Sequence, residues 1–267
     1  MSRSKHSIPR AVVADPFTPD LVDTLLPRSN PFRGRVHVVE QAASTQDLAR
    51  KSGTIPSVWA AAIQTAGRGR QGHFWISDRP HGLWCSLLLE PDARQLPLLS
   101  MMGSLAAADA VRRLTGIEST LKWPNDLLLQ ERKLAGLLVE TVARPGRLPL
   151  AILGLGLNLG QQDADFPRAL KNRAISLLQA SGRLIPRATM LAAFLEALAS
   201  RWNQDPSAML GDFRAGWQQL GNFLRIRQGN EDFEGVADQV DDSGHLHLLL
   251  ADGSRKVFAS GEVDFPA

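Results

Sequence analysis

The chain has 267 residues, 44% of them hydrophobic, which is enough to bury one sizeable core and a smaller accessory one. The 30 basic residues nearly balance the 27 acidic ones, so a net charge of +3 does not indicate a nucleic-acid partner. One cysteine excludes a disulfide framework, and no apolar run is long enough for a membrane span or a signal peptide. We therefore expect a cytoplasmic protein that binds neither membranes nor nucleic acid.

The first 35 residues are rich in proline and predict at most one short helix, near Asp20 to Leu26. We interpret residues 1–35 as an N-terminal arm that wraps the protein or is partly disordered. Such an arm is too short and too rich in proline for a helix-turn-helix domain, so a DNA-binding role is not expected.

A predicted strand, Val36–Val39, is followed by a short predicted helix, Gln46–Ser52, which ends at Gly53. Ser44 and Thr45 precede this helix and have the side chains of N-caps. They could also bind a ligand, and the two roles are compatible if the N-terminus of the helix faces the site.

The loop from Gln64 to Trp75, QTAGRGRQGHFW, holds three glycines and two arginines directly after an apolar strand, Val58–Ile63. Glycine lets backbone N–H groups approach a ligand, and arginine binds carboxylate or phosphate, so an anion is the expected ligand. A solvent-exposed turn is the alternative. The spacing differs from the Walker phosphate loop, and Phe74–Ile76 looks like a strand or an aromatic lid where the dinucleotide fingerprint requires a helix.

Cys85 lies in an apolar run, Leu83–Leu89, and is interpreted as a buried strand thiol rather than a nucleophile. Apolar residues then recur every three to four positions from Leu98 to Leu114. This spacing predicts an amphipathic helix that ends at Gly116.

The second dense segment reads KWPNDLLLQERKLAGLLVE and begins at Lys122. It predicts a hairpin with strands at Asp126–Leu129 and Leu134–Val142, joined by a polar turn at Gln130–Arg132. Lys133 starts the second strand beside small residues, where its ammonium could neutralise a bound carboxylate or phosphate. A lysine in a solvated turn is the alternative.

Two more helices are predicted at Arg187–Trp202 and Ser207–Leu220, the second starting at Asp205-Pro206. From Asn222, alternating residues and recurrent turn signals predict a small antiparallel barrel of about four or five strands. The order of elements predicts an α+β fold, in which a mixed β-sheet carries helices packed on one face.

The two dense segments, with Ser44–Gln46 upstream and Gly154–Asn158 downstream, resemble the catalytic domain of biotin protein ligases. Individual motifs match from Val36 to Gly160, whereas the rest of the chain to the C-terminus matches only in its general pattern. It implies a class II synthetase-like catalytic domain at residues 36–220 and an SH3-like barrel at 221–267. It further implies that ATP adenylates biotin and that biotin then passes to a lysine of a biotin carboxyl carrier protein, with Mg²⁺ assisting. Monomers and homodimers both occur in the family, which leaves the oligomeric state open.

The resemblance also implies roles for individual residues. Those matching positions that bind biotin and its adenylate are Ser44, Thr45, Gln46, Gln64, Gly67, Arg68, Gly69, Arg70, Lys133 and Gly136. Catalysis by charge neutralisation would fall to Arg68, Arg70 and Lys133. The nucleotide side would be lined by Trp75, Lys122, Asn125, Asp126 and Asn158, and no metal ligands are assigned. Neutral polar side chains suit a buried ureido ring, whose N–H and carbonyl groups must be hydrogen-bonded.

The chain departs from the family pattern at Gln71 and His73, where arginine is common, and no arginine follows Gly261-Glu262. Less positive charge therefore remains near the nucleotide, and closure of the loop would depend on pH if His73 titrates near neutrality. The hypothesis is that His73→Arg slows release of the adenylate, as a single-turnover assay would measure. A solvated loop histidine is the alternative.

Two other functions are weighed against biotin ligation. Lipoate or octanoate transferring enzymes share the expected fold, but their RRxxGGGxVxH-like signature is absent. A non-catalytic regulatory module that binds nucleic acid through the basic arm or the barrel would show binding that depends steeply on salt, and no ATP turnover.

Overall fold

The computed structural model describes residues 15–229 and 231–264, which form two sheets and six α-helices. The helices are α1 (Pro19–Leu25), α2 (Thr45–Arg50), α3 (Gln95–Thr115), α4 (Leu177–Ser181), α5 (Arg187–Trp202) and α6 (Pro206–Gly216). The strands of the larger sheet are β1 (Val36–Ala42), β2 (Ser57–Gln64), β3 (Gly82–Leu89), β4 (Thr120–Lys122), β5 (Asp126–Leu129), β6 (Arg132–Arg144) and β7 (Arg147–Asn158). Those of the smaller sheet are β8 (Phe223–Gln228), β9 (Glu231–Val240), β10 (Leu246–Leu250), β11 (Arg255–Phe258) and β12 (Glu262–Asp264).

The larger sheet is mixed, as predicted. Its strand order is β1-β2-β3-β7-β6-β5-β4, in which β1 and β2 are parallel and the other neighbours antiparallel. The predicted hairpin is formed by β5 and β6, and its turn residues Gln130 and Glu131 both have positive φ. Two positive φ values are typical of a two-residue hairpin turn that follows the twist of the strands.

The prediction that helices cover only one face of this sheet is wrong. Gly103 of α3 packs against Leu153, whereas Ala49 of α2 clusters with Ile152, the preceding residue of β7. Neighbouring residues of a strand point to opposite faces, so α2 lies on the face opposite α3. Periodicity shows which side of a helix is buried, whereas the face of the sheet that it covers depends on tertiary structure.

Helix ends follow the local signals. Gly116 ends α3 in the left-handed conformation with φ 74°, and Asp205 caps α6 by accepting a hydrogen bond from the Ser207 backbone N–H. The helix predicted at Ser207–Leu220 ends earlier, at Gly216, because Trp217 is extended. The short helix α4 was not predicted.

The first described residues pack onto the helices beside the larger sheet. Val22 of α1 is fully buried, and Asp15 forms an ion pair with Arg187 at the start of α5, with 2.6 Å between Oδ2 and Nε. The remainder of the predicted arm, residues 1–14, lies outside the described residues.

The smaller sheet is antiparallel with the order β11-β10-β9-β8-β12, and its five strands agree with the predicted barrel. The turn between β9 and β10 contacts the segment that joins β4 and β5, where the indole N–H of Trp123 donates to the Gly244 carbonyl at 2.9 Å. Among the described residues, no helix has the length and apolar character needed to span a membrane.

Candidate active site

A cavity of about 830 Å³ opens on the face of the larger sheet that carries α2. Its lining brings together the glycine loop, the β4–β6 segments, residues 161–174 and the last strand, β12. All the residues predicted for the site line this cavity except Gly67, which lies directly behind it.

The floor of the cavity is a row of residues paired across the strands. Asp126 pairs with Gly136, Gly136 with Gly156, and Gly156 with Trp84. The Trp75 indole lies over the two glycines, since a Cβ at Gly156 would be 2.4 Å from its Cε2 atom and one at Gly136 3.0 Å from Cζ3. Side chains at either position would displace the ring.

Of the two alternatives given for Phe74–Ile76, a strand or an aromatic lid, the strand is wrong. Phe74 makes one isolated bridge with Arg68, and its side chain is 84% exposed, whereas Trp75 turns into the cavity. Gly67 allows this turn, because its carbonyl accepts from the Trp75 N–H at 3.0 Å and a Cβ would lie 2.5 Å from the Trp75 carbonyl.

One end of the cavity is polar and uncharged. Thr45 Oγ lies 2.7 Å from Ser86 Oγ and 3.1 Å from Gln64 Oε1, while Gln64 Nε2 donates to Ser77 Oγ at 3.1 Å. Ser44 caps α2, as expected, by accepting from the Gln46 N–H. Ser44, Thr45 and Gln46 also line the cavity, so the N-terminus of α2 faces the candidate site.

Gln46 completes this polar end. Its Nε2 donates to the Leu138 carbonyl at 3.2 Å, which fixes the orientation of the amide. Its Oε1 is buried and has no hydrogen-bond partner among residues 15–229 and 231–264. A buried acceptor of this kind is costly unless a ligand donor reaches it.

Two cations meet at the other end. Lys133 Nζ lies 2.7 Å from Asp126 Oδ1, and Arg70 donates to the neighbouring Asn125 Oδ1 at 3.0 Å and to the Gly261 carbonyl at 3.2 Å. Arg70 and Lys133 are thus held by consecutive residues of one segment. Burial lowers the pKa of Arg70, whose two hydrogen-bond acceptors are neutral oxygens. The Asp126 and Glu262 carboxylates act on this pKa in the opposite direction, so the charge of Arg70 is partly compensated while its hydrogen bonds go to neutral groups.

Lys122 is the third cation on this side and lines the cavity beside Asp126, its partner in the β4–β5 pairing. Burial lowers the pKa of its ammonium, and the Asp126 carboxylate acts in the opposite direction.

Arg68 differs from Arg70. Its Nη1 and Nη2 atoms donate to both carboxylate oxygens of Asp47, at 3.1 and 2.8 Å, and its Nε lies 3.4 Å from Glu140 Oε1. Two carboxylates therefore already compensate this guanidinium.

A strap from residues 173–175 fixes the backbone of Lys133, whose N–H donates to the Arg173 carbonyl at 2.7 Å and whose carbonyl accepts from Ile175 at 3.0 Å. Asn158 Nδ2 donates to the Ile175 and Lys133 carbonyls, at 3.2 and 3.4 Å. Asn158 thus holds this strap, in addition to lining the cavity.

Sequence reasoning missed several residues of the site. No motif marks these residues, which line the cavity: Ser77, His81, Ser86, Asp165, and Arg173 and Ala174 of the strap. Ser86 offered one signal, since it is a polar residue inside an otherwise apolar buried strand. The two departures from the family pattern lie at the rim: Gln71 has φ 52°, and His73 Nδ1 is 4.0 Å from Glu262 Oε1.

Cys85 is buried, as expected, and burial raises the pKa of its thiol to about 12, which rules it out as a nucleophile. The part of the chain that the structure describes contains no group of three or more His, Cys, Asp or Glu side chains suited to a metal ion.

The profile of the biotin/lipoate A/B protein ligase family matches residues 38–158, and that of the biotin protein ligase C-terminal domain matches residues 224–265. The chain is 34% identical over 236 residues to the bifunctional ligase/repressor BirA of Bacillus spizizenii, which covers 84% of this chain and 73% of the relative. The chain belongs to the biotin protein ligase family. The resemblance inferred from the motifs is confirmed.

Two further comparisons agree with membership of the biotin protein ligases. The chain is 31% identical to the biotin–[acetyl-CoA-carboxylase] ligase of Mycobacterium tuberculosis, over 91% of this chain and 93% of that protein. The structure of the biotin protein ligase of Aquifex aeolicus in complex with biotin and ATP superposes with a TM-score of 0.75 at 26% identity, covering 86% of this chain and 97% of the other. The expected class of fold, with its C-terminal module, is therefore confirmed.

Proposed function

We propose that this chain activates biotin with ATP to form biotinyl-5′-AMP and then transfers the biotinyl group to a lysine of a biotin carboxyl carrier protein. The observation that carries this function is the division of one cavity into a neutral polar end and a cationic end. Biotin has the same division, with an uncharged ureido ring at one end and a carboxylate at the other.

The polar end suits the ring. Thr45, Gln64 and the unpartnered Gln46 Oε1 offer hydrogen-bonding groups without adding charge, so a buried ureido group would not lose its hydrogen bonds. The sheet floor at Gly136 and the Trp75 indole would enclose the apolar part of the molecule.

The cationic end suits the reacting groups. In the first step a carboxylate oxygen of biotin attacks the α-phosphorus of ATP, the new C–O–P anhydride forms and pyrophosphate leaves. Both reactants are anions, so Arg70, Lys122 and Lys133 would lower their mutual repulsion and stabilise the charge that develops on the phosphoryl oxygens. The Lys133 ammonium would exchange part of its contact with Asp126 for the carboxyl oxygen.

In the second step the neutral amine of the carrier lysine attacks the acyl carbon, the amide forms, AMP leaves and the amine loses a proton. No nucleophile from the enzyme is needed. Mg²⁺ prefers one or two carboxylates together with phosphate oxygens, and Asp126, one of several carboxylates that line the cavity, would help to hold it at the cationic end. A bound ion there would supply further neutralisation of the phosphate charge.

Names of relatives support the choice of biotin and of a carboxylase carrier, and the lipoate, octanoate and non-catalytic alternatives are not favoured. The domain bounds 36–220 and 221–267 remain part of the proposal. So does the absence of a nucleic-acid partner.

Transfer to a carrier tests the function directly. The protein is incubated with ATP and a biotin carboxyl carrier domain, with biotin, lipoate or octanoate in separate reactions, and the intact carrier is weighed by mass spectrometry. We expect one biotinyl adduct and no adduct on a carrier whose acceptor lysine is changed to arginine. A lipoyl or octanoyl adduct in place of biotin would refute the proposal.

A further inference from the structure

A cluster of four charged side chains joins three walls of the cavity. The glycine loop contributes Arg68, α2 contributes Asp47 and Arg50, and β6 contributes Glu140. Arg68 forms a two-pronged contact with Asp47, and Arg50 Nη2 lies 2.6 Å from Glu140 Oε2, so Glu140 lies between two guanidinium groups. Such bidentate arginine pairs have strict geometry and restrict the groups that they join.

The charges in this cluster indicate that Arg68 links parts of the protein and does not contact a ligand. The hydrogen bond from Arg68 holds the pKa of Asp47 below its usual range, and that bond likewise raises the pKa of Arg68. Both groups therefore stay ionised near neutral pH, and all three nitrogens of the Arg68 guanidinium face carboxylates. Arg70, only two residues away, has neutral acceptors instead.

The linked residues adjoin the polar end of the cavity. Asp47 directly follows Gln46, and Glu140 is on the same face of β6 as Leu138, whose carbonyl orients the Gln46 amide. Arg68 follows Gly67, where the loop turns toward Trp75. Loss of the cluster would free these three walls to shift relative to one another.

We propose that Arg68 is a positioning residue, which ties the glycine loop to α2 and β6 through Asp47 and Glu140 and so sets the shape of the polar end of the cavity. This inference rests on the proposed function, since it assigns that end to the ring of biotin. It gives Arg68 a different task from Arg70, despite their common motif.

The test compares Arg68→Ala, the isosteric double variant Asp47→Asn/Glu140→Gln, and the triple combination. Biotin-dependent ATP–pyrophosphate exchange gives the KM for biotin and the KM for ATP of each. If Arg68 acts through its carboxylates, each variant raises the KM for biotin by about 5- to 30-fold. The triple variant then raises it no more than Arg68→Ala does, because all three changes break the same contacts. The KM for ATP changes little in every variant.

Direct contact between Arg68 and a ligand anion predicts the opposite sign for the double variant, because freeing the guanidinium would leave the KM for biotin unchanged or lower it. That result in active protein would overturn the inference alone. An inactive wild-type protein would instead refute the proposed function and the inference with it.

A matched control is the exposed ion pair of Arg225 and Glu234 on the barrel, 2.6 Å apart. Arg225→Ala/Glu234→Gln should alter neither KM. Melting temperatures of all variants identify any that are misfolded, and for such a variant the single change Asp47→Asn replaces the double, with the same predicted sign.

Discussion

Lys133 is the residue on which the chemistry depends most. Its side chain is 36% exposed and its ammonium contacts Asp126 at the cationic end, so Lys133→Ala should leave the fold intact and reduce biotin-dependent pyrophosphate exchange by about 10²- to 10³-fold. Arg132→Ala is the matched control, since Arg132 precedes Lys133 in the chain and its Nη2 donates to Gln130 Oε1 in the same turn, at 3.2 Å. Retention of exchange by Lys133→Ala would place the activated carboxyl elsewhere.

Gly156 tests the floor of the cavity. A methyl group there would overlap the Trp75 indole, so Gly156→Ala should displace the ring, reduce exchange strongly and lower the free energy of unfolding by about 1–3 kcal/mol. Gly211→Ala is the control, because no atom within 4 Å of its Cβ position opposes the methyl group in α6. That change should raise stability by about 0.4–1 kcal/mol in urea denaturation. Full activity of Gly156→Ala would show that Trp75 is not needed over the floor.

Strand β3 gives a prediction for pH. Burial raises the pKa of Cys85 to about 12, whereas an unfolded thiol titrates near about 8.5. The protonated thiol therefore contributes stability that is complete below the unfolded pKa and is lost as pH rises toward the folded one. Urea midpoints measured from pH 8 to about 10.5 should fall more steeply for the wild type than for Cys85→Ala. Equal slopes would mean that the thiol is accessible in the folded protein.

At the scale of elements, local signals predicted most of the fold. Helices α3 and α5 and the β5–β6 hairpin carry strong periodicity or turn signals, and the structure has them where the sequence indicated. The position of α2 on the opposite face could not be predicted, since it depends on which strand residues pair across the sheet. The 173–175 strap was missed for the same reason, because its hydrogen bonds to Lys133 are long-range backbone contacts.

The candidate site could be predicted only in part, because local composition is visible in the sequence and long-range contacts are not. Arg70 and Lys133 lie in segments of unusual composition, so their residue types alone indicated that the site binds an anion. What each arginine of the glycine loop contacts is decided by tertiary structure. Asp47, which compensates Arg68, lies outside both dense segments. Glu140 is the last residue of the second segment, but its position in the sequence does not show that it contacts Arg68.

At the scale of the whole molecule, the barrel completes the cavity. Gly261 accepts from Arg70, and the Trp123 indole next to Asn125 donates to the barrel turn at Gly244. Trp123 is 2% exposed, so Trp123→Phe should leave a buried carbonyl without its donor and lower the free energy of unfolding by about 1–3 kcal/mol.

Trp217→Phe is the control for Trp123→Phe, since Trp217 is also buried but its Nε1 has no partner among the described residues. It should lose only packing, and the smaller loss in urea denaturation would isolate the contribution of the hydrogen bond. Equal losses in the two variants would mean that the contact between barrel and catalytic body adds nothing beyond packing.

The central claim is that one cavity unites a neutral ring site with a cationic site for two reacting anions. Isotope exchange between pyrophosphate and ATP measures the first step alone, without a carrier protein. We predict exchange that requires biotin, is not supported by lipoate or octanoate, and is lost in Lys133→Ala. Exchange that proceeds equally with lipoate, or that survives loss of Lys133, would contradict the account.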